Sequence, residues 1–232
     1  ALKSFKLGGN SNFGASTDVG FGFKYEADNG FGFASNIVDK NADAATGGLL
    51  SDESVRKWDT QVAYTKDRWH VSATLSDAQN WTSQSYNATT LGAGMKGSDG
   101  DTTGYAFRGY WMPEESGTAV PEISVGYDTK TADTPASGAA KEADSYFVGL
   151  TWKDMFQADD RIGLAFTQPL KQTECNGTCS STEIDPFVWE AYYAFKPNDS
   201  MEVRPAVFGG SDVLADTQDD IFGVALTTTF KF

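Results

Sequence analysis

Few side chains in this sequence are equipped for bond-making chemistry, and the spacing of the charged ones speaks of water rather than catalysis. Histidine occurs once, as His70 beside Trp69, which leaves little material for a metal site or a histidine-based catalytic apparatus. A barrel lipase would need a Ser-His pair on its lipid face near the outer leaflet. His70 falls on the opposite face, near the other end, so no enzyme and no cofactor are expected. The two cysteines, Cys175 and Cys179, flank the turn residues Asn176-Gly177. No second ligand pair completes a zinc site, so they read as a local disulfide formed in an oxidising compartment, its short ring giving little entropic stabilisation.

What remains is a set of charged and polar residues at alternate positions: Lys6, Lys24, Lys57, Asp59, Gln61, Arg108, Glu122, Lys153, Glu190, Tyr192, Glu202 and Arg204. Alternation of this kind gives a strand one wet face and one dry face. At their simplest such residues solvate an aqueous interior. Facing rows of opposite sign would in addition set up a transverse field that sorts solutes by dipole and charge.

The elements that must position them are strands. Helical periodicity is nearly absent, and twelve segments alternate apolar with small or polar residues, at about 2–8, 19–26, 31–38, 57–65, 69–76, 103–112, 120–128, 145–153, 161–168, 187–195, 201–208 and 221–232. Connections alternate in length. Short turns such as Asp28-Asn29-Gly30, Asp67-Arg68 and Pro197-Asn198-Asp199 fall on one side, and long Ser/Thr/Ala/Asp/Gly loops on the other. The Gly-Phe-Gly-Phe pieces at 20–23 and 30–33 precede no helix, so they are not phosphate-binding loops. A soluble sandwich has no reason to segregate its loops by length or to carry 16 Phe, 9 Tyr and 6 Trp partly on a solvent face. A transmembrane antiparallel up-and-down β-barrel requires both features, because closure satisfies every backbone group in lipid. Trp69, Trp111, Trp152, Tyr193 and Phe232, near strand ends, would form interfacial girdles.

The bulk numbers fit this frame. A net charge of −14 offers no basic stripe for nucleic acid. A mean hydropathy of −0.39 excludes a membrane-spanning helix but not barrel strands, which hide half their residues from lipid. Most of the acidity gathers in the long loops, among them Asp39, Asp77, Asp99, Asp101, Glu142, Asp144 and Glu174. An acidic mouth attracts cations over roughly 8 Å at physiological salt. The longest loop, 77–102, is the candidate to fold inward as a constriction, with Asp77, Lys96, Asp99 and Asp101 as its charges.

The stretches GYAFRGYWMPEESGTAVPEISVGYD, SYFVGLTWKDMFQADDRIGLAFTQP, DPFVWEAYYAFKPNDSMEVRPAVFGG and the terminal TTTFKF resemble the C-terminal barrel of cyanobacterial outer-membrane porins. These are the Som-type or iron-uptake porins, related to carbohydrate-selective porins, and the marine forms are most alike. The likeness covers about 103–232 by motif, and 1–102 by strand and loop style. It implies a passive, trimeric outer-membrane channel for inorganic ions and small polar solutes, including iron, in contact with lipid and lipopolysaccharide. Long loops would be extracellular and both termini periplasmic. The family's barrel has sixteen strands and follows an S-layer-homology domain, whereas 1–232 reads as one barrel domain of twelve strands without that segment. Either the barrel is shortened, with Phe5 and Leu7 pairing with 221–232, or the chain is part of a larger one. The competing expectation is a structural or surface-recognition barrel with a plugged lumen, since about twelve strands lie between filled and open barrels.

Overall fold

The chain reverses where residue type permits left-handed backbone. Gly30, at a φ of 93°, follows Asn29, whose Oδ1 accepts from the Phe31 amide at 3.2 Å, and a Cβ on Gly30 would run into the carbonyl oxygen of Thr65. Asp67, at a φ of 50°, makes the corresponding turn further along. Between such reversals, β-branched and aromatic residues alternate with small or polar ones and hold the chain extended.

The computed structural model describes residues 19–40, 42–48, 51–80, 101–133, 137–138, 140–178, 185–212 and 220–231. Among these, eleven strands form a single sheet: β1 (Val19–Glu26), β2 (Phe31–Asp39), β3 (Arg56–Lys66), β4 (Trp69–Gln79), β5 (Thr102–Trp111), β6 (Glu122–Ala132), β7 (Ala140–Lys153), β8 (Arg161–Cys175), β9 (Phe187–Asn198), β10 (Met201–Ser211) and β11 (Ile221–Phe230). Each strand pairs antiparallel with its sequence neighbours, in the order β1 to β11, so the architecture is all-β and up-and-down. β1 and β11 are the two ends of the sheet among the described residues. The segment 2–8 expected as a first strand, with Lys6, Phe5 and Leu7, lies outside the described residues.

Strand positions agree with the alternation read from sequence, but several ladders run further toward the long loops. β7 starts at Ala140 rather than near 145, and β8 continues to Cys175 rather than stopping near 168. The apolar alternation ends where lipid contact would end, whereas backbone pairing continues beyond it on polar residues. A Lys141–Glu174 ion pair at 2.7 Å ties this extension together. The register slips between Asp144 and Tyr146, which pair with Lys171 and Gln168, a bulge placed at Pro169, whose nitrogen cannot donate to the ladder. Consequently Asp39, Asp77, Glu142, Asp144 and Glu174, expected in loops, stand in strands. Asp77 is in β4 opposite Trp58, on the face of Leu75, and so belongs to no inward-folding loop. Lys96 and Asp99 lie outside the described residues. Asp101, just before β5, accepts from the Asn80 amide at 2.7 Å and fastens the ends of the longest connection.

The two faces of the sheet are filled in the reverse of a soluble protein's manner. One face carries exposed Phe21 (73%), Phe222 (72%) and Leu226 (71%), while Asp128 (1%), Glu190 (4%) and Lys130 (7%) on the other face are buried. On the apolar face, Trp69 and Trp111 pair at 6.0 Å between ring centroids, and Phe31 and Tyr64 at 4.8 Å. Both pairs lie near the short turns, an aromatic band of the kind found at membrane interfaces. Phe232 lies outside the described residues.

Candidate functional site

Pleating and register together decide which side chains meet. Starting from exposed Phe23 in β1, the ladder takes Ser35, Thr60, Leu75 and Tyr105 onto one face, and Lys24, Ala34, Gln61, Thr74 and Ala106 onto the other. Followed strand by strand, this places Lys24, Asp59, Gln61, Arg108, Glu122, Lys153, Glu190, Tyr192, Glu202 and Arg204 together on the polar face. Alternation in the sequence alone predicts this grouping. His70 stands on this face as expected, and the structure adds Glu26, Asp128, Lys130 and Arg161 to it.

The charges on that face fall into two zones. Toward the short turns, ion pairs bridge neighbouring or nearby strands: Lys153 to Glu122 at 2.5 Å and Arg161 to Glu202 at 2.5 Å. Lys24 and Glu26 pair at 2.7 Å along β1. Arg204 lies over the Tyr192 ring at 5.6 Å from its centroid, and the ring in turn lies over Gly163, where a Cβ would overlap it. Glycine is needed there for close approach rather than for backbone conformation.

Further toward the long loops stands a buried set of charges. Arg108 holds Asp128 with two parallel bonds, Nη1 to Oδ1 at 2.5 Å and Nη2 to Oδ2 at 3.0 Å, the bidentate geometry a guanidinium offers a carboxylate. Lys57 and Asp59 pair at 3.8 Å with both side chains almost wholly buried, and both lie close enough to Lys130 for their charges to be felt there. Asp128 is the last residue of the segment expected over 120–128 and Lys130 lies just past it, whereas the strand runs on to Ala132. The period-2 run from Glu122 through Ser124, Gly126 and Asp128 to Lys130 was the signal that would have found them.

His70 sits on the polar face near the short turns, with Nδ1 2.7 Å from Thr65 Oγ1. Gln61 donates to Thr74 Oγ1 at 3.0 Å. Among the described residues no group of His, Cys, Asp and Glu is arranged to hold a metal ion. Cys175, at the far end of β8, is disulfide-bonded, and Cys179 lies outside the described residues.

The short-turn rim is built with equal care. In the turn 154–160, the buried Asp160 carboxylate accepts from the amides of Met155, Phe156 and Gln157 at 2.8, 3.0 and 3.1 Å and from the Tyr193 hydroxyl at 2.9 Å. Burial pushes the Asp160 carboxyl up, but these donors together outweigh it and hold it below the usual carboxylate range. Asp154 is likewise held low, first by the Ser116 hydroxyl and then by the Asp159 amide.

No family model matches this sequence, and no curated protein matches it significantly. Solved structures do. OmpF of Salmonella typhi, solved in complex with daunomycin, superposes with a TM-score of 0.61 over 90% of this chain at 12% identity. The match takes in 61% of the OmpF chain, so the present chain spans about three fifths of that porin's length. The KdgM porin, solved with disordered oligogalacturonate, covers 93% of this chain and 92% of its own at 10% identity, with a TM-score of 0.39, too low to establish a common fold. The all-β, up-and-down sheet, apolar on one face and charged on the other, therefore shares the fold of a porin wall, at a sequence distance where likeness extends to the fold alone.

Proposed function

We propose that this chain forms the wall of a passive outer-membrane channel for inorganic ions and small polar solutes. The observation that carries the reading is the inverted burial of the sheet: exposed Phe, Val and Leu on one face and mixed-sign charges on the other. Such a wall presents lipid with hydrocarbon and presents solutes with ion pairs that can exchange partners with water. The channel prefers cations weakly. Acidic residues outnumber basic ones 32 to 18, and described acids such as Asp43, Asp52, Glu53 and Asp185 stand in the long connections, where they raise the local concentration of cations. Iron as cargo, a cyanobacterial origin, trimeric assembly and contact with lipopolysaccharide rest on the family resemblance. So does the orientation with long loops outside and termini in the periplasm. The OmpF likeness bears on the fold alone.

A second reading has one observation in its favour. The burial of Asp128, Lys130 and Glu190 in the long-loop half of the polar face is what a plugged barrel, serving structure or surface recognition, would show. Planar-bilayer recording separates the two. Stepwise conductance, with a reversal potential in a salt gradient displaced toward the cation potential, supports the channel. An insertion-competent protein with no conductance supports the plug, and a displacement toward the anion potential removes the cation preference.

A further inference from the structure

The apolar face is not evenly filled. Between β2 and β6 it holds a hollow of about 550 Å3, within the roughly 300–1,000 Å3 common for small-molecule sites. Val62, Tyr64, Val71, Phe107 and Tyr127 wall it. Its floor is low because Ala73 pairs with Phe107, and Gly109 stands between Val71 and Val125. A Cβ on Gly109 would come within 3.0 Å of Val125 Cγ2, so glycine keeps the floor down.

The row nearest the short turns changes character. Lys66 pairs with Trp69 and Trp69 with Trp111, one pleat repeat or about 7 Å along the strand from the hollow. In the turn beyond, the Arg68 guanidinium lies 5.9 Å from the Trp111 ring centroid. Neither Lys66 nor Arg68 is in an ion pair among the described residues. Asp67 between them is the one acid of that turn, leaving it net positive.

We infer that this hollow seats one acidic phospholipid from the leaflet on the short-turn side, its phosphate held by Lys66 and Arg68 and an acyl chain laid over Ala73 and Gly109. Charge complementarity selects this occupant. A phospholipid joins an anion to hydrocarbon at the spacing the face offers, and the aromatic pair Trp69–Trp111 sits at the junction, where amphipathic rings are favoured. A second copy of the chain would cover the hydrocarbon but leave both cations to find a carboxylate. The inference does not depend on conductance, since a plugged barrel would present the same outer face.

Native mass spectrometry of the full chain released from detergent, with phosphatidylglycerol or phosphatidylcholine added, tests it. One retained phosphatidylglycerol, favoured at least fivefold over phosphatidylcholine, is the expected result. Lys66→Ala with Arg68→Ala should abolish the preference, and Ala73→Phe should abolish retention of either lipid. Equal retention of the two lipids by the unaltered protein, retention unchanged in Ala73→Phe, or loss of an oligomer instead of a lipid in that variant would each overturn it. Should Ala73→Phe fail to fold, brominated acyl chains decide. Stronger tryptophan quenching by brominated phosphatidylglycerol than by brominated phosphatidylcholine supports the seat, and equal quenching refutes it.

Discussion

The two halves of the polar face carry charges of the same kinds, mostly from different strands, and they treat them differently. In the half near the long loops, Lys57 and Asp59 are 5% and 7% exposed, and the fully buried Asp128 is gripped by Arg108 reaching up from the level of Gly126. In the half near the short turns, Lys24 and Glu26 are 67% and 69% exposed, and Arg161 pairs with Glu202 in partial contact with solvent. A buried ion is costly unless its partner is in place, while an exposed pair loses little when broken. The long-loop half is thus held by its charges, and the short-turn half by turns, glycines and rings.

Removing a partner from the buried set should have the largest effect. Arg108→Ala leaves Asp128 without its bidentate donor and should lower stability by about 2 kcal/mol in urea unfolding of liposome-inserted protein. That is below the roughly 3–5 kcal/mol of a fully enclosed pair, because the Arg108 side chain is 29% exposed. A loss no greater than that of an exposed pair would erase the contrast between the halves. Gly163→Val tests the other half. It drives Tyr192 off its seat and separates it from Arg204, and should cost about 1.5 kcal/mol, typical of overpacking. The same unfolding curve reads it, and Gly163→Ala should fall between.

The turn 154–160 provides a pH test. Its Asp160 and Asp154 carboxyls are held low in the fold. Their contribution is therefore complete above the unfolded carboxylate value of about 3.9 and is lost as pH falls through the lower folded values. Cleavage within this turn by an acid-active protease should rise between pH 4 and pH 2. In Asp160→Asn it should already be high at pH 5. Protection that stays constant across this range would place the turn's stability elsewhere. The smallest effect belongs to Lys24→Ala, at most about 0.5 kcal/mol, since its pair with Glu26 is open to solvent.

Much of the site was legible because a strand has a period of two. Once one outward residue is known, every second residue is assigned. Lys24, Asp59, Arg108, Glu190 and Arg204 therefore fall on one face by sequence position alone. The same logic failed where alternation in hydropathy stops before the ladder does. Asp77 and Glu142 were read as loop residues because their surroundings are polar, yet backbone pairing needs no apolar side chain. Lys130 lies beyond the same kind of boundary, and Asp128 at its edge.

Partnering was less legible still. Nothing in the run from Thr103 to Trp111 says that Arg108 reaches Asp128 rather than Glu122, since all three share one face and the choice depends on register between β5 and β6. The placing of the strands, though not their ends, the face of each residue and the segregation of short turns from long loops follow from local stereochemistry and the pleat, and are written in the chain. Which charges are buried, which of them pair and where the apolar face is hollow emerge with the assembled sheet. Those properties come from register and curvature, which bring residues from separate strands together and are encoded in no single stretch of the chain.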